Sequence, residues 1–153
     1  MMKTLKKSLL LLAISLSGIS LKAQILKPVS WSYASKRISA TEAVIFIKAQ
    51  IDEGWHIYSQ NVKDGGPIKT SFTFPAAAAY SLNGKTLEPK PATKYEKAFS
   101  MDVSYFEKQV IFQQKVKLKG SGPVTVKGSL EYMTCDDKQC LPPDQVDFSV
   151  LVK

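Results

Sequence analysis

Val110-Ile111-Phe112-Gln113-Gln114-Lys115-Val116-Lys117-Leu118 alternates with a period of two. Val110, Phe112, Val116 and Leu118 fall on even positions, and the lysines fall on odd ones. One face is apolar and the other is solvated, which is the pattern of a half-buried strand. Downstream, Val124, Val126, Leu130 and Tyr132 repeat the pattern, with Gly128 interrupting it as a bulge or a point of close approach. Val146, Phe148, Val150 and Val152 form a third run. Upstream, Ala43 to Ile47 is apolar on both faces and reads as an interior strand. Gly54 to Tyr58 and Ile68 to Phe74 are further strand segments.

Turn chemistry separates these runs. Asp64-Gly65-Gly66-Pro67, Asn83-Gly84 and Gly120-Ser121-Gly122-Pro123 are all breakers. No segment after the N-terminal region keeps a period of 3.6. Roughly seven or eight short strands in a domain of this size predict an all-β fold, an immunoglobulin-like β-sandwich. Glu88 to Phe99 is the least regular stretch, with Pro89, Pro91 and three lysines. It reads as an irregular loop, and a loop of that length in a compact domain is functional or mobile.

Residues 1–23 read as an export signal. Lys3, Lys6 and Lys7 precede an apolar stretch from Leu9 to Ile19, and Leu21-Lys22-Ala23 offers a small residue for cleavage before Gln24. The apolar stretch is too short for a membrane-spanning helix. Residues 24–153 then form one domain of 130 residues, long enough for its own core. The chain carries +8, and Lys3, Lys6, Lys7 and Lys22 account for four of those charges, leaving +4. Arg37 is the one arginine and the remaining lysines are scattered. That distribution argues against nucleic-acid binding. An exported monomer, with no membrane insertion after cleavage, is expected.

The chain has two cysteines, Cys135 and Cys140, within Thr134-Cys135-Asp136-Asp137-Lys138-Gln139-Cys140-Leu141-Pro142-Pro143. A strand ends at Thr134, and Pro142-Pro143 stops regular pairing after Cys140. The two cysteines therefore face each other across a four-residue tip, at a separation a disulfide can span. Closing so short a loop stabilises the fold by only about 2.2 kcal/mol in the chain-entropy picture. A hairpin tip is also open to exchange with another thiol. Composition and loop length alone leave two readings open, a redox-active pair and a structural staple. Asp136 and Asp137 disfavour a thiolate at Cys135, and Lys138 favours one. Two cysteines and one histidine, His56, do not close a tetrahedral zinc site, so neither metal nor cofactor is expected. His56 lies between Trp55 and Ile57 and reads as an ordinary strand histidine.

Glu53-Gly54-Trp55-His56-Ile57-Tyr58-Ser59, Gly65-Gly66-Pro67, and Tyr132-Met133-Thr134-Cys135 through Cys140-Leu141-Pro142-Pro143 together resemble the N-terminal periplasmic domain family of the thiol:disulfide interchange protein DsbD. The resemblance spans Ile25 to Val152, and the cysteine-to-Pro-Pro segment is its most specific part. It implies an immunoglobulin-like sandwich that relays electrons. The donor would be a DsbD-type membrane protein with a thioredoxin-like domain. The acceptors would be thioredoxin-like periplasmic proteins, including those of cytochrome c maturation. It implies Cys135 and Cys140 as the redox pair, with Cys140 attacking a partner's disulfide. It further implies Phe99 as the tip of a cap loop that shields the cysteines, followed by a strand towards Val110, and Tyr58 as a tyrosine beside them.

Three departures stand out. The family pattern has five residues between its cysteines and this chain has four. Lys97 and Ala98 precede Phe99 where the family has acidic residues. The transmembrane and thioredoxin-like sections are not in the sequence, so the expected donor is another chain. The alternative reading is a non-catalytic immunoglobulin-like binding or accessory module with an inert disulfide.

Overall fold

The structure is a computed structural model and describes residues 25–153. The export signal expected over residues 1–23 lies outside the described residues. Among the described residues, eleven strands follow in chain order: β1 Val29–Arg37, β2 Glu42–Ile51, β3 His56–Tyr58, β4 Ser71–Thr73, β5 Tyr80–Leu82, β6 Ala92–Glu96, β7 Met101–Phe106, β8 Gln109–Leu118, β9 Val124–Tyr132, β10 Thr134–Cys135 and β11 Asp144–Val152. They form three sheets with the orders β1-β2-β8-β5, β11-β9-β4 and β10-β3-β7-β6. Every pairing is antiparallel.

One apolar core holds the sheets together. Strand β8 alternates as its sequence dictates: Val110, Phe112, Gln114, Val116 and Leu118 are buried and the odd-numbered residues are exposed. Gln114 is the polar residue on that buried face. Its amide donates to the carbonyls of Gly84 and Lys115 at 3.1 and 2.8 Å and accepts from Thr86 Oγ1 at 2.8 Å. A buried amide is tolerated when its donors and acceptor are all used. Strand β2 lies between β1 and β8, as its two apolar faces predict. Ile45, Ile47, Phe112, Val126, Leu130 and Val152 join the sheets in the same core, with Ile57 and Phe106 entering from the third sheet.

Gly128 is a close-approach point and not a bulge. The β9–β11 register runs unbroken through Gly128 opposite Phe148. A Cβ at this position would lie 2.5 Å from Phe148 Cζ and 3.0 Å from the Thr73 carbonyl oxygen. The Phe148 ring occupies the space that any side chain would take.

Strand number exceeds the expected seven or eight, and one region needs correction. Glu88 to Phe99 is not irregular throughout, because β6 occupies Ala92–Glu96 and forms a hairpin with β7. Its polar composition hid the strand. Lys94 and Glu96 lie on one face and are partly buried, while Tyr95 on the other face is exposed. No apolar alternation survives under those conditions. The irregular part reduces to Glu88–Pro91 and the turn Lys97–Ser100. Glu88 ties the first of these to the end of β3, accepting from Ser59 Oγ and from the Gln60 N–H at 2.9 Å.

Candidate functional site

The sheet β10-β3-β7-β6 has two unlike faces. Successive strand residues point to opposite sides, and the register decides which ones share a side. Ile57 pairs with Phe106, and both enter the main core. The residues on either side of them face away from it. Tyr58 lies opposite Tyr105, Cys135 opposite His56, Lys94 opposite Val103, and Glu96 opposite Met101. One face of this sheet therefore collects Cys135, His56, Tyr58, Tyr105, Val103, Met101, Lys94 and Glu96.

Cys135 and Cys140 are disulfide-bonded with Cα atoms 4.0 Å apart. They are bridge partners at the base of the tip. The Asp136 N–H donates to the Gln139 carbonyl and the Leu141 N–H to the Thr134 carbonyl, both at 2.9 Å. The cysteines thus form the non-hydrogen-bonded pair between two bonded positions, where antiparallel strands approach most closely. Asp136 organises the tip. Its Oδ1 accepts the N–H groups of Lys138 and Gln139, each at 2.7 Å. Those two bonds, followed by lesser charge effects, hold its carboxyl below the usual range. Asp136 is spent on the turn and is not a free acid beside Cys135.

The two sulfurs differ in access. Cys135 is fully buried and Cys140 is partly exposed. Tyr58 and Val103 form a small apolar cluster with Cys135, and Val62, Met101, Tyr105, Met133 and Cys140 pack against it. Gly66 lets the loop after β3 settle there, since a Cβ would meet Val62 Cγ1 at 2.8 Å and Met101 Sδ at 3.1 Å.

A polar ring closes beside this cluster. Lys94 Nζ lies 3.4 Å from His56 Nδ1. An ammonium only donates, so Nδ1 accepts and the ring hydrogen sits on Nε2. Nε2 is 3.1 Å from the Tyr58 hydroxyl, which donates to Glu96 Oε2 at 3.4 Å. Glu96 Oε2 returns to Lys94 Nζ at 3.6 Å. Burial, reinforced by the Lys94 charge, lowers the His56 pKa and keeps the imidazole neutral, against opposing pulls from Glu96, Glu107 and Asp137. Burial and the Glu96 carboxylate push the Tyr58 hydroxyl far up. Lys94 also stands 4.9 Å from the centre of the Tyr105 ring.

Of the residues expected at the site, Cys135, Cys140 and Tyr58 come together. Phe99 sits in the β6–β7 turn, partly buried, with its N–H donating to the Glu96 carbonyl. It is not a member of the apolar cluster around Cys135, which Met101, the first residue of β7, joins instead. His56 is the residue the sequence reading undervalued, together with Lys94 and Glu96. A usable signal was present: His56 and Tyr58, like Lys94 and Glu96, are polar pairs two apart, so each pair shares one strand face.

Residues 22–151 match the family described as "Thiol:disulfide interchange protein DsbD, N-terminal". No curated protein matches the chain in sequence. Among solved structures, the reduced N-terminal domain of DsbD from Neisseria meningitidis is similar at a TM-score of 0.52 and 16% identity, covering 76% of this chain and 82% of that one. The N-terminal periplasmic domain of ScsB from Proteus mirabilis is similar at 0.57 and 16%, covering 86% of this chain and 49% of that one. The complex of the DsbD and PilB N-terminal domains from Neisseria meningitidis is similar at 0.53 and 15%, covering 82% of this chain and 87% of its counterpart. These likenesses agree with an immunoglobulin-like fold, and the match over residues 22–151 decides the family: the chain belongs to the DsbD N-terminal domain family.

Proposed function

We propose that this domain relays electrons in the periplasm by thiol–disulfide exchange through Cys135 and Cys140. The observation that carries the reading is the unequal exposure of the two sulfurs within a hairpin tip. Exchange needs one sulfur that a partner can reach and a second that resolves the mixed disulfide. A donor thiolate attacks Cys140 Sγ, and the electron pair of the broken bond goes to Cys135 Sγ. The donor's second thiolate then releases Cys140, so two electrons and two protons enter the domain. In the forward relay the Cys140 thiolate attacks an acceptor disulfide. Cys135 then attacks Cys140 Sγ, expels the acceptor's thiolate and restores the bond.

Thioredoxin-like proteins fit as partners, and the related complex joins a DsbD N-terminal domain to a PilB N-terminal domain. A DsbD-type membrane protein is the proposed donor, with residues 1–23 as the export signal and a monomer as the working form. Phe99 is proposed as the outer part of a shield whose inner part is Met101 and Val62. The discriminating experiment is equilibration of the domain with redox buffers. A relay has a potential above about −300 mV, whereas an inert staple falls below it. A value well below that limit would favour the binding-module reading.

A further inference from the structure

Exchange through Cys135 and Cys140 creates one difficulty inside the domain. When the bond opens, Cys135 becomes a thiolate at a position with no solvent exposure. An uncompensated charge there is strongly disfavoured. The groups facing it are few. Tyr58 on β3 and Tyr105 on β7 are neutral. Glu96 on β6, Glu107 after β7, and Asp136 and Asp137 in the tip are acidic and act on His56, so they favour an imidazolium there and offer nothing to a thiolate. Lys94 on β6 is a cation, but its Nζ is engaged at His56 Nδ1 (3.4 Å) and Glu96 Oε2 (3.6 Å), on a strand three places from β10. His56 lies on the neighbouring strand, directly opposite Cys135 and on the same face. Such cross-strand pairs have Cβ atoms about 4.5–5.5 Å apart.

We propose that His56 is the positioning residue for the Cys135 thiolate: it takes up a proton when the Cys135–Cys140 bond opens and returns it when the bond re-forms. This rests on the exchange reading above. The incoming thiolate attacks Cys140 Sγ, the electron pair goes to Cys135 Sγ, and a solvent proton adds to His56 Nδ1. Lys94 must leave Nδ1 to make room. Its side chain is 26% exposed and keeps Glu96 at 3.6 Å, so it has a place to go. The imidazolium and thiolate then form an ion pair, the arrangement that keeps a thiol reactive beside a histidine. On re-oxidation Cys135 Sγ attacks Cys140 Sγ, the partner leaves as a thiolate, and His56 gives its proton back to solvent. The polar ring of Lys94, His56, Tyr58 and Glu96 is the store that holds the neutral imidazole ready in the oxidised state.

His56 is the only histidine of the chain, so its ring resonances are unambiguous. The test is an NMR titration of that ring in the oxidised domain and in the domain reduced with dithiothreitol. The expected result is a ring neutral at pH 7 when oxidised and protonated when reduced, with proton affinity at least tenfold higher in the reduced form. By reciprocity the dithiothreitol equilibrium must then change with pH through the same group, and His56→Gln should remove that contribution. Equal proton affinity in both redox states overturns the proposal. The unmodified protein supplies the primary readout, so a poorly folding His56→Gln variant does not block the test. Dithiothreitol needs no cellular partner. Failure of the relay in cells and failure of His56 linkage are therefore separate results.

Discussion

The Tyr58 hydroxyl donates to Glu96 Oε2 at 3.4 Å, joining β3 to β6 over the intervening β7. The same hydroxyl accepts from His56 Nε2. Tyr58→Phe keeps the ring in its apolar cluster and removes both bonds, leaving His56 Nε2 only Glu96 Oε2 at 3.5 Å and Glu96 Oε2 only His56 and Lys94. The oxidised domain should lose about 1–3 kcal/mol in urea unfolding. An unchanged midpoint would mean that the polar ring does not hold the β6–β7 hairpin in place.

Acid should destabilise the oxidised domain through His56. Its folded-state pKa lies below the ordinary 6.5. As the pH falls below 6.5 the unfolded chain takes up the proton first, so the folded state loses ground. The histidine contribution is present above that pH and lost as the pH falls through the folded-state value. Urea unfolding at pH 7.5 and pH 5 should show this loss, and His56→Gln should reduce it. Asp136 adds a trend of the same sign at lower pH, because its carboxyl is also held below its ordinary value.

Gly128→Ala tests packing away from the site. The added methyl meets the Phe148 ring at 2.5 Å, and forcing that ring aside should cost about 1–3 kcal/mol. The rate of exchange with dithiothreitol should not change. A large rate effect would show that the β9–β11 sheet reaches the cysteines in a way the fold does not suggest.

The shield separates into two parts that can be tested side by side. In the reduced domain, Met101→Ala should speed alkylation of Cys140 by iodoacetamide severalfold, because Met101 packs against the disulfide cluster. Phe99→Ala should also speed it if the turn residue covers the outer side. An unchanged rate for Phe99→Ala alone would leave the shielding to Met101 and Val62.

The all-β class was legible because β8, β9 and β11 each bury one face and wet the other, so their alternation survives in the sequence. The cysteine hairpin was legible from its strand on one side and Pro142-Pro143 on the other. Strand β6 was not, since its partly buried residues are Lys94 and Glu96, both charged, and the residues between and before them are exposed. The short edge strand β5 offers only Tyr80 to the core. The role of His56 was hidden for a different reason. Its partners lie 38 and 40 residues away at Lys94 and Glu96 and 79 away at Cys135, and only strand order and register bring them to one face. The spacing of His56 and Tyr58 shows that they share a face, but not that it is the face with the disulfide.

The most direct measurement is trapping of mixed disulfides in cells with single-cysteine variants. Cys135→Ala leaves the reachable Cys140 without its resolving partner, so it should accumulate a covalent complex with a thioredoxin-like protein. Cys140→Ala leaves only the buried Cys135 and should capture little or nothing. Absence of any complex with Cys135→Ala, or equal capture by both variants, would contradict a relay that works through an exposed Cys140 and a buried Cys135.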